Sequence, residues 1–328
     1  MKETLLIHFV DFWDKFNPES NFLINALSCN YKIELNEKNP QVVFFSHFGK
    51  QHLNYTERLL IFFSGEPIAL DPLCFDYCIS WRNLKSKNHY RLPLYKMYFQ
   101  DVGSWLPKFA KFRSQESIRH DWLQKKGLCC MVVSNPNCRQ RNEAFRQLSK
   151  YIQVDSGGRF LNNIGGPVTN KLDFIKNYKF VLSFENSKHA GYTTEKVFEP
   201  ILENCIPIYW GNSEIGKDVN EKRILNFENF DGIESLAERI INISKNPSEA
   251  MKILQQNILP KNLRTYNLKE EYAFIDFLKN SINKGISESN SKRKLLRILR
   301  SPDKYLSQKI KFLKIRSSIF LKNALKKK

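Results

Sequence analysis

Five polar side chains of different chemistry follow one short apolar run, FVLSF, near the middle of the chain. They are two carboxylates, an amide, a phenol and an amine, and they fall within twelve positions: Glu185, Asn186, Tyr192, Glu195 and Lys196. Each residue alone is more ordinary as a helix cap or a solvated loop residue. Because folding requires no such density of polar groups at the end of a strand, the set together favours a binding site.

The residues after this run predict a helix whose start suits an anion. Thr193 or Thr194 is a good N-cap, and Glu195 in the first turn suits the helix dipole. The backbone amides at such a start are a natural place for a diphosphate, and Lys196 adds a full positive charge there.

The remaining groups suit sugar hydroxyls. The two oxygens of Glu195 can accept hydrogen bonds from the vicinal hydroxyls of a ribose, as carboxylates do in nucleotide-binding folds. Asn186 and Tyr192 offer neutral hydrogen bonds to a sugar. We expect Glu185 to face the other side of the strand end and to have a supporting role at most.

Short apolar runs alternate with amphipathic stretches, which is typical of an α/β fold. Two α/β lobes joined near residues 105–126 are the simplest organisation. Parallel sheets bind ligands beyond the carboxyl ends of their strands, so we expect the loops after Ser64, Asn135 and Phe184 to share one cleft. The predicted strands are 4–10, 41–48, 58–66, 75–80, 128–135, 178–186 and 206–211, and the predicted helices are 105–124, 140–151 and 194–204.

The composition excludes several classes of protein. Apolar residues make up 42% of the 328 residues, which is ample for a packed core and argues against disorder. The seven cysteines are scattered without CxxC spacing, so a zinc site is not expected, and their odd number suggests a reducing compartment. The apolar run Leu5–Val10 is too short for a signal peptide or a membrane span and predicts a first strand. No G-x-G-x-x-G or Walker sequence supports a redox dinucleotide or kinase site.

The positive charge is concentrated at the carboxyl end of the chain. Residues 291–328 carry fourteen Lys and Arg against one acid, Asp303, and therefore hold +13 of the formal net charge of +19. Apolar residues at helical spacing among these lysines predict an amphipathic helix lying on an anionic membrane surface. Nucleic-acid binding and a plain solubilising tail are the alternatives, and the few aromatic residues in the tail argue against nucleic acid.

A longer stretch around the polar cluster resembles a known family. FVLSFENSKHAGYTTEKVFEPILENCIPIYWG (180–211) is similar to the signature of the α1,3-fucosyltransferases of glycosyltransferase family 10. Three further blocks fit the bacterial, Helicobacter-type members: FFSGEP (62–67), FDYCISW…YRLPLY (75–95) and VVSNPNCRQRNEAF (132–145). The resemblance covers roughly residues 40–230, whereas the first forty residues and the tail match weakly.

This resemblance implies a fold and an activity. The fold is the GT-B architecture, in which two Rossmann-like domains face a cleft. We expect an acceptor-binding domain at 1–123, a GDP-fucose-binding domain at 124–288 and a basic amphipathic tail at 289–328. The implied enzyme is an inverting transferase that moves L-fucose from GDP-β-L-fucose to the GlcNAc of N-acetyllactosamine-type acceptors, in surface glycans such as Lewis-type lipopolysaccharide O-antigen. An α1,4 or dual α1,3/4 linkage, and a non-catalytic binder of nucleotide sugars or glycans on the same fold, remain alternatives.

The family's functional positions fall on particular residues here. Glu66 matches the general base that deprotonates the acceptor, although Pro67 stands where many relatives have Asn. The donor-binding positions are Arg141 and Lys196 on the diphosphate, Glu195 on the ribose, Asn186 and Tyr192 near the fucose and diphosphate, and Lys171 by a looser match.

The resemblance also bears on cofactors and location. Two cations and helix amides can replace a metal, and the chain has no D-x-D sequence, so we expect no obligatory cofactor and a divalent metal that is at most stimulatory. The expected partners are GDP-fucose, the glycan acceptor and an anionic membrane surface, with no nucleic acid. The expected location is cytoplasmic, peripheral on the inner face of a bacterial inner membrane.

Overall fold

The chain forms two compact units. The computed structural model describes residues 2–69, 71, 73–97, 114–260, 266–288, 291–293 and 295, with side chains in the 266–288 segment described from 272 onward. The first unit contains residues 2–80 and 85–90 together with the described residues from Glu271 onward. The second unit contains Trp81–Leu84 and Arg91–Glu270.

The first unit is built on a six-stranded sheet with the strand order β2-β1-β3-β4-β5-β6. Strands β1 to β5 pair in parallel, which places their carboxyl ends at one edge of the sheet. All residues of β3 and β4 are buried, as expected for central strands covered on both faces. The elements are β1 (Glu3–Val10), α1 (Phe22–Ser28), β2 (Tyr31–Leu35), β3 (Val42–Phe45), β4 (Leu59–Ser64), β5 (Tyr77–Ser80) and β6 (His89–Arg91), with a 3₁₀ turn at Gln51–Tyr55.

The second unit is built on a five-stranded parallel sheet with the order β11-β10-β9-β7-β8. Strand β9 lies at its centre between β7 and β10, and every residue of β9 except Lys179 is buried. The elements are α2 (Gln115–Gln124), β7 (Gly127–Met131), α3 (Arg139–Leu148), β8 (Val154–Ser156), α4 (Lys171–Ile175), β9 (Tyr178–Phe184), α5 (Glu195–Leu202), β10 (Ile206–Trp210), β11 (Leu225–Asn226), α6 (Ile233–Lys245) and α7 (Pro247–Leu254), with 3₁₀ turns at Ile215–Lys217, Glu221–Arg223 and Phe227–Asn229.

The helix α8 (Tyr266–Ser287) begins in the second unit and continues into the first. Its Phe274 is 1% exposed and packs against Phe22 of α1 and Tyr90 of β6, with ring centroids 6.3 and 5.1 Å apart. The packing of these aromatic rings explains why the later part of α8 belongs to the first unit.

The observed division differs from the predicted domain boundaries of 1–123 and 124–288. Residues 91–97 belong to the second unit, where Arg91 forms a two-pronged ion pair with Asp218. The predicted elements also do not include α1, β2 and β8, which are seven, five and three residues long. Of the predicted helix at 105–124, only α2 lies within the described residues, and nearly all of the predicted tail at 289–328 lies outside them.

The predicted strands that border the polar loops are present, although they end earlier than predicted. The predicted strand 58–66 ends at Ser64, so Glu66 lies in a loop, and the predicted strand 178–186 ends at Phe184. All seven cysteines are free thiols. No helix within the described part of the chain is both long enough and apolar enough to cross a bilayer.

Candidate functional site

The loop between β9 and α5 begins with a buried carboxylate that fixes the start of the helix. Glu185 is 0% exposed, and its backbone N–H still pairs with the carbonyl of Trp210 in β10. Its side chain turns toward α5: Oε1 accepts from the N–H of Thr194 at 2.8 Å, and Oε2 accepts from the Thr194 hydroxyl at 2.7 Å. Gly211 has a φ of +152°, and a Cβ there would lie 2.4 Å from the Glu185 Cγ, so this close approach requires glycine.

Thr194 is the N-cap of α5, because its Oγ1 accepts from the N–H of Lys196 at 3.3 Å. The amides of Thr194 and Lys196 are therefore already bound by side chains of the protein. This corrects two expectations from the sequence. Glu185 faces the start of the helix rather than the other side of the strand end. These two amides already have side-chain partners and are not open to a diphosphate.

Lys196 lies between the two carboxylates at the start of α5. Its Nζ is 3.3 Å from Oε1 of Glu195 and 3.6 Å from Oε2 of Glu185. Burial by itself lowers the pKa of Lys196, but the two carboxylates outweigh burial and raise the pKa above its ordinary value. The side chain stays 19% exposed. Lys196 is therefore a permanent cation that a ligand can reach.

The two carboxyl groups differ in their acidity. Burial raises the pKa of Glu185 to about 7, even though Lys196 acts in the opposite direction. Burial also acts to raise the pKa of Glu195, but Lys196 and Lys171 outweigh it and leave that pKa below its ordinary value. Glu195 is therefore ionised near neutral pH, as a carboxylate that accepts from a ribose diol would be, whereas Glu185 is partly protonated.

Arg141, in the first turn of α3, brings a second cation to the same region. Its side chain is 1% exposed, and its terminal nitrogens donate to the Asn186 Oδ1 at 2.7 Å and to the Asn135 carbonyl at 2.5 Å. Its Nε is buried and has no hydrogen-bond partner among the described residues. Burial lowers the pKa of Arg141 from its ordinary value, and Glu185 and Tyr192 act against that change. The guanidinium is therefore held by two partners, and its third donor is buried and unsatisfied.

The Tyr192 phenol lies close enough to Arg141 and Lys196 to act on the pKa of both, which it tends to raise. The residue is 1% exposed, and its ring packs edge-on against Trp81 with centroids 5.2 Å apart. The Tyr192 ring is therefore buried and packed against Trp81.

Lys171, at the start of α4, forms an ion pair with Glu199 of α5 and contributes to the low pKa of Glu195. The second unit thus brings together all six residues predicted for the donor, namely Arg141, Lys171, Asn186, Tyr192, Glu195 and Lys196. Sequence reasoning did not predict that Glu185 would lie at the centre of this group, in contact with Thr194 and Lys196.

Glu66 lies in the first unit, in the loop after β4, and is exposed. Its backbone is held by Ser64, whose Oγ accepts from the Glu66 N–H at 3.1 Å and donates to the Glu66 carbonyl at 3.2 Å. The Ser64 Oγ is also 3.5 Å from the His47 Nδ1. Burial lowers the pKa of His47, and Glu66 acts to raise it. The Glu66 side chain is therefore close enough to the His47 imidazole to act on its pKa.

A metal site is not evident in the described part of the chain, where no group of three or more His, Cys, Asp or Glu side chains is placed to hold an ion. The expectation that catalysis needs no metal remains a prediction.

Two family models match the chain over most of its length. One is glycosyltransferase family 10 (fucosyltransferase) C-term, over residues 122–271, and the other is the alpha-(1,3)-fucosyltransferase FucT N-terminal domain, over residues 7–98. The six predicted donor residues fall within the first match, and Glu66 falls within the second.

Among curated proteins, the chain is similar to the alpha-(1,3)-fucosyltransferase FucT of Helicobacter pylori. The two are 28% identical over 272 residues, which is 74% of this chain and 57% of that protein. It is also 33% identical over 154 residues to alpha-(1,3)-fucosyltransferase 4 of Bos taurus, covering 46% of this chain and 39% of that protein. The chain therefore spans little more than half the length of the Helicobacter relative.

Among solved structures, the chain is similar to a crystal structure of an alpha1,3-fucosyltransferase, with a TM-score of 0.73, 24% identity, and coverage of 88% of this chain and 93% of that chain. A structure of an alpha1,3-fucosyltransferase with GDP-fucose matches with a TM-score of 0.70 and 24% identity, and covers 86% of this chain and 91% of that chain. The expected α/β fold of the GT-B type is thereby confirmed.

Proposed function

Because the chain belongs to glycosyltransferase family 10, we propose that it is a fucosyltransferase that moves L-fucose from GDP-β-L-fucose to a glycan hydroxyl. The observation that carries this proposal is the convergence of Arg141 and Lys196, from two different helices, beside Asn186 and Tyr192. An alpha1,3-fucosyltransferase of the same fold has been crystallised with GDP-fucose. The proposed donor is therefore a nucleoside diphosphate sugar.

In this proposal the two cations stabilise the leaving group. As the bond between fucose and phosphate breaks, negative charge grows on the diphosphate of GDP, and cations in a largely buried site stabilise it strongly. Arg141 offers a planar guanidinium that can contact two phosphate oxygens, and Lys196 adds a point charge. The carboxylate of Glu195 accepts hydrogen bonds from the ribose hydroxyls, and Lys196 and Lys171 together lower its pKa against the effect of burial.

Glu66 is the general base in this proposal. Its carboxylate takes the proton of the acceptor hydroxyl while that oxygen forms a bond to the anomeric carbon of fucose and GDP departs from the opposite face. This single displacement inverts the anomeric centre and gives an α-linked fucose, by the logic of inverting glycosidases. No metal takes part in these steps.

For the acceptor, we propose the GlcNAc of an N-acetyllactosamine-type chain, joined through an α1,3 linkage, in Lewis-type or lipopolysaccharide surface glycans. The support is the similarity to proteins whose names specify this linkage. An α1,4 or dual preference is the alternative within the same chemistry, and a panel of type 1 and type 2 disaccharides distinguishes them. We further propose a cytoplasmic enzyme attached to the inner membrane face through its basic tail.

The test is acceptor-dependent release of GDP. Purified protein is mixed with GDP-fucose, and GDP is measured with and without N-acetyllactosamine. We expect rapid release only when the acceptor is present, together with a fucosylated product detected by mass spectrometry. Binding of GDP-fucose without turnover on any acceptor of the panel would contradict catalysis and favour a non-catalytic binding protein on the same fold.

A further inference from the structure

A buried hydrogen-bond network centred on Asp218 reaches the loop that leads into α5. Asp218 is 1% exposed, and both its oxygens accept from Arg91, at 2.9 and 2.7 Å. Oδ1 also accepts from the Tyr95 hydroxyl at 3.0 Å, and Oδ2 accepts from the Thr193 hydroxyl at 2.7 Å. A buried carboxylate with a two-pronged arginine and two hydroxyl donors is well satisfied and holds its partners in one geometry.

The same network holds the backbone of that loop on both sides of Tyr192. Arg91 donates to the carbonyl of Gly191 at 3.0 Å, and the Asn212 Oδ1 accepts from the Gly191 N–H at 2.6 Å. The Asn212 Nδ2 donates to the Thr193 hydroxyl at 2.9 Å. Gly191 has a φ of +87°, a conformation that glycine adopts most readily. Tyr192 therefore sits between two residues that the network fixes.

We propose that Asp218 and Arg91 are positioning residues of the donor site. They hold Gly191–Thr194 so that the Tyr192 phenol and the capped start of α5 face the diphosphate of the nucleotide, and they do so without touching the ligand. This inference rests on the proposed function and adds to it. It also gives a role to Arg91 and Tyr95 of the YRLPLY block. In the sequence analysis that block served only as part of the resemblance to the family.

The network offers a matched pair of substitutions at Thr193. Thr193→Ser keeps the hydroxyl that donates to Asp218, whereas Thr193→Val has nearly the same shape and loses it. Thr193 is 0% exposed, so neither change alters a surface. Tyr95→Phe is an independent second variant, because it removes one donor to Asp218 and keeps the ring that stacks on Phe198. Arg239→Ala is the control, since it removes an ion pair with Glu249 elsewhere in the same unit.

The measurements are the Kd for GDP, the KM values for GDP-fucose and acceptor, and deuterium uptake by residues 189–196 in the free protein. Thr193→Val removes the hydroxyl that donates to Asp218 and accepts from Asn212, and this loss should weaken GDP binding about tenfold. We expect its KM for GDP-fucose to rise by a similar factor, its KM for the acceptor to stay unchanged and its deuterium uptake to increase. Tyr95→Phe should change in the same direction, while Thr193→Ser and Arg239→Ala should match the wild-type protein.

Wild-type GDP binding by both Thr193→Val and Tyr95→Phe would overturn the inference alone. A loss of thermal stability in the same variants would then indicate a purely structural network. A wild-type protein that binds no GDP would contradict the proposed function as well, so the wild-type titration tells the two failures apart.

Discussion

Glu185 holds Thr194 at two points, through the backbone N–H and through the side-chain hydroxyl, and so ties the end of β9 to the start of α5. The carboxylate is fully buried, and Lys196 lies 3.6 Å away. The first turn of α5 is thus preorganised by the protein itself, with the Lys196 cation held beside it.

The first prediction concerns Lys196. Replacing it with Ala removes a charge-assisted contact to the diphosphate and leaves Glu185 and Glu195 without their cation, so GDP affinity should fall by about 100-fold or more. Isothermal titration with GDP measures this change. Lys188→Ala is the control, because Lys188 lies in the same loop and pairs with the exposed Glu228. Equal GDP affinity in Lys196→Ala and Lys188→Ala would remove Lys196 from the diphosphate site.

The second prediction concerns the shape of Arg141 rather than its charge. Lys keeps the charge but cannot reach the Asn186 oxygen and the Asn135 carbonyl together, as the guanidinium does. We expect Arg141→Lys to weaken GDP binding about tenfold or more and to lower the melting temperature by a few degrees. Arg146→Lys, on the same helix, should change neither quantity. A wild-type GDP affinity in Arg141→Lys would show that charge alone suffices there.

The third prediction is a pH dependence of stability that comes from Glu185. Because its pKa is about 7 in the folded protein and 4.5 is the ordinary value, the folded protein keeps a proton that the unfolded chain loses between these pH values. The contribution of Glu185 to the free energy of unfolding is therefore greatest below pH 4.5 and falls as the pH rises through 7, by at most about 3 kcal/mol.

Glu185→Gln tests this dependence, since Gln can still accept from the Thr194 N–H and does not titrate. Urea unfolding of both proteins at about pH 5 and about pH 8 should show that the wild-type protein loses stability relative to the variant as the pH rises. Parallel pH dependences of the two proteins would contradict the raised pKa of Glu185.

The fourth prediction concerns the basic tail, which lies almost entirely outside the described residues. At about 1 kcal/mol for each basic residue near an anionic surface, fourteen Lys and Arg are enough for attachment without a membrane span. We expect the full chain to float with anionic vesicles but not with neutral ones, and deletion of residues 289–328 to abolish flotation. Equal recovery with both vesicle types would contradict electrostatic attachment.

Local sequence patterns predicted the central strands and the polar loop well. The runs that form β4, β9 and β10 are continuous and apolar, as strands buried on both faces must be. The prediction that Thr193 or Thr194 is the N-cap located the start of α5 to within one residue, because helix capping depends only on residues close in sequence. The short elements α1, β2 and β8 carried too few residues to show a period.

Contacts between distant parts of the chain were not predictable in this way. Asp218 is 127 positions from Arg91, and nothing around either residue indicates that they pair. Glu185 gave a misleading signal, because its backbone continues the strand pairing to Trp210 while its side chain turns toward α5. The predicted boundary near residue 123 differs from the observed division, in which residues 91–97 belong to the second unit. The difference has the same cause, since Arg91 pairs with Asp218, which is distant in sequence.

The most direct test of the whole account is a comparison of Glu66→Gln with the wild-type protein in two assays, GDP-fucose binding and acceptor-dependent GDP release. If Glu66 is the base and Arg141 and Lys196 hold the donor, Glu66→Gln should bind GDP-fucose with near-normal affinity and release GDP about 100-fold to 10,000-fold more slowly. Normal turnover by Glu66→Gln, or a loss of GDP-fucose binding with no separate loss of turnover, would contradict the account.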